Sequence, residues 1–381
     1  MIIGIDVHER KEVVCETDDD GRILKEYDFS ITKEEWNAFM DAHSTENTRM
    51  VVEASTSGKN AARLLRDHEF EIHLANPGKM KAIYESYKKT DRNDARILAK
   101  KLREGELPES YLPAKQVDEI RSMARYRRSL GYEMTGIKNR VHAILARNGI
   151  TLQASDIFGK RSLKRIEASA ESLLPADAFV LSDLMERYHD IFQREDRIQK
   201  QLASIGEQIP GVRKLMTVPG IDYYSAMAIY SEIWEIGRFP DASHLSAYCG
   251  LVPRVDQSGD TTHYGHITKA GLSVLRFFLV NAAHTTVKTS QSFKTAYRKL
   301  KKRDGKNRTI IAMARKLAVV VCNMLARNQD FVDLHAFAKL YERKLERMGT
   351  ATSGVQKLDG DYATGLIRKE VIRLQSNKLL S

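Results

Sequence analysis

The 381-residue chain is predicted to fold as an α/β domain that is followed by helices. Short β-branched runs alternate with helical patterns over the first hundred residues, as in a sheet that is covered by helices. From Leu112 the apolar residues instead recur every three or four positions over two long segments, which is typical of packed helices. A third, mostly helical part begins after Pro210.

The α/β part is predicted to open with three strands, over Ile2–Val7, residues 12–16 and residues 23–29. An acidic turn, Asp-Asp-Asp-Gly at residues 18–21, closes a hairpin between the second and third strands. Thr32 and Glu35 then form a capping box, which opens the first helix.

Helices and strands alternate after this capping box. Strands are predicted over Arg49–Glu53 and residues 70–74, each followed by a helix, and helical patterns continue to Arg103. Three hairpin-joined strands followed by this alternation predict a mixed sheet of the ribonuclease-H-like order. In that order the strand that carries Asp6 lies beside the strand that carries Glu53.

Two apolar seams predict a pair of long helices in the middle of the chain, joined by an irregular segment near residues 150–180. The pair is either antiparallel within the chain or part of an intermolecular coiled coil. A spacer between domains is as consistent with the pattern as a dimerisation device. The apolar positions are Ile120, Met123, Leu130, Met134, Ile137, Val141 and Ile144, and then Leu184, Tyr188, Ile191, Ile198, Leu202, Ile205 and Ile209.

The composition is that of an ordered protein with a polyanionic partner. Charged residues make up 29% and hydrophobic residues 42% of the chain, which excludes a disordered protein. The formal net charge is +11 and the pI about 9.3, so nucleic acid is a sensible partner. The three cysteines have no metal-ligand spacing, and neither a membrane span nor a signal peptide is predicted. We therefore expect a cytoplasmic protein.

Four acidic residues form the candidate metal site. Asp6 and Glu53 end apolar strands, while Asp91 and Asp94 are three residues apart at the start of a helix and so share one face. Carboxylates held in this way suit Mg²⁺, which binds a few carboxylates together with water and substrate oxygens. The alternative is that the helix dipole favours Asp91 and Asp94, and that the other two are surface acids.

The sequence Val218-Pro219-Gly220-Ile221 opens the third part of the chain. A Pro-Gly connection between helices can aim backbone amides at a phosphate. It is equally an ordinary tight connection.

Several motifs in one order resemble the DEDD insertion-sequence transposases, over about residues 1–330. In the N-terminal part they are Gly4-Ile5-Asp6, Val52-Glu53-Ala54 and Lys-Thr-Asp-Arg-Asn-Asp-Ala at residues 89–95. In the C-terminal part they are residues 215–221, residues 247–254 with Ser258-Gly259, and residues 265–271 with Leu275-Arg276. Glu53 is followed by Ala-Ser-Thr-Ser-Gly where the family usually has Ala-Thr-Gly, a difference in the local loop.

The resemblance implies a domain organisation. Residues 1–110 correspond to a RuvC-like DEDD catalytic domain, 111–210 to a helical coiled-coil linker or dimerisation region, 211–335 to a C-terminal transposase domain, and 336–381 to a tail. It further implies that Asp6, Glu53, Asp91 and Asp94 bind the metal. Some members of the family are RNA-guided recombinases, so a structured guide RNA is an expected partner beside DNA.

The resemblance also implies that Ser258 is the nucleophile. From the residues alone Ser258 lies in a predicted turn, where a serine usually has only a structural role. In the family the serine at this position attacks DNA and forms a phosphoserine link. A serine hydroxyl needs an activating base or a metal. Catalysis is therefore expected in an assembled complex, either a dimer or a tetramer.

Basic residues near these motifs are candidates for contact with nucleic acid. Each is equally consistent with an ordinary solvated charge. The candidates are Lys89, Arg254, Lys269, Arg276, Arg298 and Lys302.

The resulting hypothesis is a DNA transposase or recombinase that cuts and rejoins the strands of an insertion element. Two alternatives remain. One is a metal-dependent junction nuclease that uses water in place of serine, and the other is an inert nucleic-acid-binding assembly protein.

Overall fold

A computed structural model describes residues 1–84, 90–152, 154, 156–258 and 261–333. Lys89 and the predicted tail at 336–381 lie outside these residues. The chain divides into two compact units, Met1–Ala114 and a second unit that begins at Lys115. Each unit has its own hydrophobic core.

Within its described residues the first unit contains a five-stranded sheet and four helices. The strands are β1 (Ile2–Val7), β2 (Lys11–Thr17), β3 (Ile23–Ser30), β4 (Arg49–Glu53) and β5 (Glu71–Ala75). The helices are α1 (Lys33–Asp41), α2 (Thr56–Asp67), α3 (Pro77–Tyr84) and α4 (Asp91–Arg103).

The strand order across this sheet is β3-β2-β1-β4-β5. Strand β2 pairs antiparallel with both β1 and β3, whereas β1 and β4, and then β4 and β5, pair in parallel. The predicted mixed sheet is thereby confirmed, as is the capping residue Thr32, whose side chain accepts from the Glu35 amide at 3.2 Å. The reciprocal half of the predicted capping box is wrong, since the Glu35 carboxylate accepts from the Ser30 amide instead of the Thr32 amide.

The sheet is covered by helices on both faces. One face packs against α1 and α2 through residues such as Ile3, Ile5 and Trp36. The other packs against α4 through residues such as Ile2 and Leu98. The two faces arise because successive side chains of a strand point to opposite sides.

Gly4 brings α4 unusually close to β1. A Cβ atom at Gly4 would lie 2.1 Å from the carbonyl oxygen of Ala95, a distance that side chains do not tolerate. The two elements therefore meet backbone to backbone, which fixes the start of α4 against the end of β1.

The second unit is mostly helical. Its helices are α5 (Lys115–Arg147), α6 (Lys160–Ser169), α7 (Pro175–Gly206), α8 (Pro210–Met216), α9 (Tyr223–Ile233), α10 (Ala242–Tyr248), α11 (Ser273–Thr289) and α12 (Gln291–Ala326). Two short 3-10 helices occupy Ala170–Ser172 and Ile236–Arg238. A hairpin is formed by β6 (Pro253–Ser258) and β7 (Thr261–Ile267).

The long helices α5 and α7 form an antiparallel pair within the chain. Arg127 contacts Glu195 at 2.6 Å, and Arg147 near the end of α5 bonds Asp177 near the start of α7. Apolar residues of both helices share one cluster, in which Leu130 and Leu181 are buried. Of the two arrangements left open by the seams, the intramolecular pair is the one observed. The segment predicted to be irregular contains α6 and the start of α7.

Helix α12 is long and apolar enough to cross a membrane by length and composition, contrary to the expectation from the sequence. However, 56% of the most apolar 18-residue stretch of this helix is buried inside the protein. Ile310, Leu317 and Val321 belong to the core that it shares with α11. A core helix has the same composition, since a helix buried on several sides is apolar on several sides.

Candidate metal centre

The carboxylates of Asp6 and Glu53 end two neighbouring parallel strands. In the register of β1 and β4, Ile5 lies opposite Val52 and points into the core on the α1 and α2 side. Because side chains alternate along a strand, Asp6 and Glu53 follow on the opposite face, where α4 lies. Both are partly buried.

The other two predicted acids lie in the first turn of α4. Thr90 is the N-cap, and its hydroxyl accepts from the Asn93 amide at 3.3 Å. Asp91 is exposed, whereas Asp94 is only 7% exposed. The positive end of the helix dipole favours both carboxylates. The predicted N-terminal position of the two acids is thus observed, although that position alone does not show metal binding.

His8 joins the acids of the two elements and was not predicted. Its Nε2 lies 3.0 Å from Oδ2 of Asp6 and 3.4 Å from Oδ2 of Asp91. One ligand atom from each of the three residues lies within 4.8 Å of the others. The structure therefore brings Asp6 and Asp91 together through His8, while Glu53 ends the neighbouring strand β4 and Asp94 lies on α4 with Asp91. The signal in the sequence was Asp-Val-His, since residues two apart near a strand end share a face.

A second unpredicted group is the buried carboxyl of Glu12, which is 2% exposed at the start of β2. Burial, and then the negative charge of Asp6, raises the pKa of Glu12 to about 8. Perturbed carboxyl groups of this kind are common near functional sites. Its position in an apolar strand pattern concealed it in the sequence.

The donor set fits a divalent cation. Carboxylate oxygens are ligands for Mg²⁺ and Mn²⁺, and the imidazole nitrogen of His8 is a common ligand for transition metals. The carboxylates come from separate elements that are fixed by the sheet and by Gly4. Beside Asp91 an open cavity of about 370 Å³ is lined by the bases Lys11 and Arg92 and by the acid Asp28, whose carboxylate lies 3.5 Å from Nζ of Lys11.

The backbone of Ser258 ends β6 and pairs with Thr261 of β7. Its side chain is not among those that the structure describes. Arg254 lies on the same strand, and Lys269 follows β7 with a positive φ of 53°. Both are exposed, and so are Arg298 and Lys302, one turn apart on α12.

Arg276 has a structural role in this region. Its guanidinium donates to the carbonyl oxygen of Cys249 at 3.0 Å and lies 3.5 Å from that of Lys269. It thereby connects the segment before the hairpin to the segment after it. A Cβ atom at Gly250, where φ is 66°, would lie 2.5 Å from this guanidinium.

Comparison with known proteins identifies the chain. A family model of DEDD-type IS110 transposases matches residues 3–148, and a model described as transposase IS116/IS110/IS902 family matches residues 212–298. The two segments together cover more than half of the chain, in the order that the motifs predict. The chain belongs to the IS110 family of transposases. It is accordingly an enzyme that acts on DNA, which confirms the predicted class.

Several relatives match along most of their length. A transposase for insertion sequence element IS1111A from Coxiella burnetii is 24% identical over 344 residues, which cover 87% of this chain and 91% of the relative. A probable family 20 transposase from Pseudomonas aeruginosa is 26% identical over 73% of this chain and 84% of its own length. A pilin gene-inverting protein from Moraxella bovis is 26% identical, over 78% and 86% respectively.

The two matched segments separate the predicted acids from the predicted nucleophile. The first contains all four predicted acids and His8, and it continues through α5. The second contains the hairpin with Ser258 and Arg254. Helices α6 and α7 lie entirely between the two segments.

The Pro-Gly connection of this IS110-family chain forms a tight link between α8 and α9. Val218 and Ile221 are buried, and Gly220 has a φ of 92°. The first amides of α9 are capped by the chain itself, since the carboxylate of Asp222 accepts from the Ser225 amide at 2.8 Å. The geometry thus favours the structural interpretation over a phosphate site.

Proposed function

We propose that this transposase cuts and rejoins the DNA strands of an insertion element at a divalent-metal site. The observation that carries the proposal is the convergence of Asp6 and Asp91, from β1 and α4, on one atom of His8 at 3.0 and 3.4 Å. A favourable interaction with the helix dipole, or a position at a strand end, does not require two carboxylates to contact the same histidine.

The N-terminal unit is, in this proposal, a ribonuclease-H-like domain. The strand order β3-β2-β1-β4-β5, with only β2 antiparallel to both of its neighbours, supports this assignment. It puts the ends of β1 and β4 side by side, next to the start of α4.

Asp6, Glu53, Asp91 and Asp94 hold the metal, for which the acids predict Mg²⁺. A bound divalent cation neutralises phosphodiester charge and stabilises the leaving oxygen. The residues of the chain orient this site: β1 and β4 fix two carboxylates, and the Thr90 cap with the Gly4 contact fixes the other two. The exposed Arg92 beside Asp91 offers a positive charge to the DNA backbone.

Ser258 is the proposed nucleophile, a role that rests on the family resemblance. The hydroxyl of Ser258 loses its proton to a base, its oxygen bonds to phosphorus, and the sugar oxygen of the broken phosphodiester leaves and takes up a proton. The DNA end is then joined to the protein through phosphoserine, which preserves the bond energy for rejoining.

The same resemblance supports a structured guide RNA, a dimeric or tetrameric assembly, and action on the nucleoid in the cytoplasm. Arg254, Lys269, Arg298 and Lys302 are exposed and remain candidates for contact with nucleic acid. Arg276 also remains one, although its fold contacts already use part of its guanidinium.

The proposal is tested by trapping the covalent intermediate. The full chain is incubated with element-end DNA, Mg²⁺ and RNA transcribed from the flank of the element, and a protein–DNA adduct is sought on a denaturing gel. We expect an adduct with the native chain and with Ser243→Ala, a change at an exposed serine of α10. We expect none with Ser258→Ala or Asp91→Asn.

Each other outcome has a definite meaning. DNA cutting that persists in Ser258→Ala without an adduct indicates a water-using nuclease and contradicts the serine role. Cutting that persists in Asp91→Asn contradicts the metal site. DNA binding without cutting in every variant, including the native chain, indicates an inert assembly protein.

A further inference from the structure

We infer that His8 is itself a metal ligand, and that it makes the site bind Mn²⁺ more tightly than Mg²⁺. The inference rests on the proposed metal-dependent function and adds a nitrogen ligand to its four acids. It concerns which ion this chain prefers, since the carboxylates alone do not discriminate strongly between the two ions.

The distances fit three ligands on one face of an octahedron. Metal–ligand bonds of about 2.1 Å at right angles place neighbouring ligand atoms about 3.0 Å apart. Nε2 of His8 lies 3.0 Å from the Asp6 oxygen and 3.4 Å from the Asp91 oxygen. All three atoms lie within 4.8 Å of one another, so a single ion can reach each of them after small side-chain rotations.

The backbone holds His8 in this place. His8 follows the last residue of β1, and its amide donates to the carbonyl oxygen of Lys11 at 3.2 Å, which closes the turn into β2. Its side chain is 39% exposed, so an ion can reach the imidazole from solvent. The ligand atom is thus both positioned and accessible.

The chemistry of nitrogen supplies the preference. Mg²⁺ binds oxygen ligands and gives up its water reluctantly, whereas transition ions accept imidazole more readily. Mn²⁺ combines affinity for carboxylates with this acceptance. A site with two or more carboxylates and one imidazole therefore gains more from Mn²⁺ than from Mg²⁺.

The competing interpretation is that His8 only forms hydrogen bonds or ion pairs with the two carboxylates. The observed distances also suit such contacts. In that case His8 holds the acids together until a metal displaces it, and its removal leaves metal affinity unchanged or improves it. The two interpretations thus predict opposite effects on binding.

Metal binding to the full chain separates them without a DNA-cutting assay. Mn²⁺ affinity is measured from the loss of the free-ion signal in electron paramagnetic resonance, and Mg²⁺ affinity from competition with Mn²⁺. The variants are His8→Ala, His8→Gln, which keeps a hydrogen-bonding amide but removes the imidazole, and Asp6→Asn. His68→Gln, at an exposed histidine after α2, is the matched control.

We expect both His8 variants to weaken Mn²⁺ binding about tenfold or more and Mg²⁺ binding less than about threefold. His68→Gln should bind both ions as the native chain does. Circular dichroism melting checks that each variant is folded. Native Mn²⁺ affinity in His8→Gln, or improved affinity in His8→Ala, overturns the inference.

The controls distinguish this failure from failure of the proposed function. If Asp6→Asn loses metal while the His8 variants keep it, the acid site stands and only the role of His8 is wrong. If the native chain binds neither ion, both proposals fail together.

Discussion

The acids of the first unit and the arginines of α5 in the second unit differ in what the fold does with their charge. Asp6 and Asp91 converge at one edge of the sheet, where the Asp91 side chain is 51% exposed. On α5, by contrast, Arg121 and Arg125 both contact Glu232 of α9, and Arg127 contacts Glu195 of α7. The first group meets at an exposed edge, where we propose a metal ligand, whereas the second is used in packing the helices.

This difference shows why charge in a sequence has to be interpreted together with position. A helix rich in arginine suggests a surface for nucleic acid, yet the Arg121 side chain is only 7% exposed. It also donates to the backbone oxygen of Ser231 at 2.7 Å. The four acids, by contrast, could be assigned to one candidate site from the sequence, because they lie at the ends of strands and at the start of a helix.

The largest effect is expected from Glu232→Ala, which tests whether the arginines of α5 are structural. Glu232 is 1% exposed and contacts both Arg121 and Arg125, so its loss removes a buried carboxylate and leaves Arg121 with Asp118, 3.6 Å away, as its acidic neighbour. We expect the second unit to lose about 3–5 kcal/mol of stability, measured by scanning calorimetry and denaturant unfolding. Glu235→Ala, at an exposed glutamate three residues away, should change stability by less than about 0.5 kcal/mol. Equal effects of the two changes would show that the arginines of α5 are not structural.

The second test, Gly4→Ala, asks whether the contact between β1 and α4 positions the acids of the first unit. The added methyl group meets the Ala95 carbonyl, so α4 has to move away from β1. We expect a loss of about 1–3 kcal/mol of stability together with weaker Mn²⁺ binding, because Asp91 and Asp94 move with α4. Gly136→Ala is the control, since an added Cβ there meets nothing within 4 Å. Unchanged metal binding in a destabilised Gly4→Ala would contradict this account of how the acids are positioned.

The smallest expected effect is a pH dependence from Glu12, whose folded pKa of about 8 lies above its usual 4.5. Between these values the folded state keeps a proton that the unfolded state releases, so stability falls as pH rises from about 4.5 to about 8. Glu12→Gln carries no such proton. In a metal chelator it should melt near the native temperature at pH ~5 and a few degrees higher at pH ~9.

Glu9→Gln, at an exposed glutamate in the same turn region, should show no such pH-dependent difference. The same melting difference for Glu12→Gln at both pH values would exclude titration of Glu12 as the cause.

Much of the fold was predictable because local signals agreed with the global arrangement. The Thr32 cap marked the start of α1, and short β-branched runs marked the strands. The apolar seams predicted α5 and α7, but they could not choose between pairing within the chain and between chains, since both bury the same residues. Helix α6 was missed because its charged residues concealed a short apolar face.

The candidate site was only partly predictable for a related reason. Family motifs and strand ends indicated the four acids. His8 and Glu12 became visible only when the β1–β2 turn brought one beside Asp91 and buried the other. These contacts form between residues that are far apart in the sequence, so a local sequence pattern does not predict them.

The contact between Gly4 and Ala95 has a consequence for how this protein changes over evolutionary time. Gly4 precedes Asp6 by two residues, and Ala95 directly follows Asp94, so main-chain atoms set the spacing of the acid-bearing elements. Side chains elsewhere in the core can then be replaced at a cost in stability, without altering that spacing. A chain built in this way can diverge widely from its relatives and still present its carboxylates at the same separation.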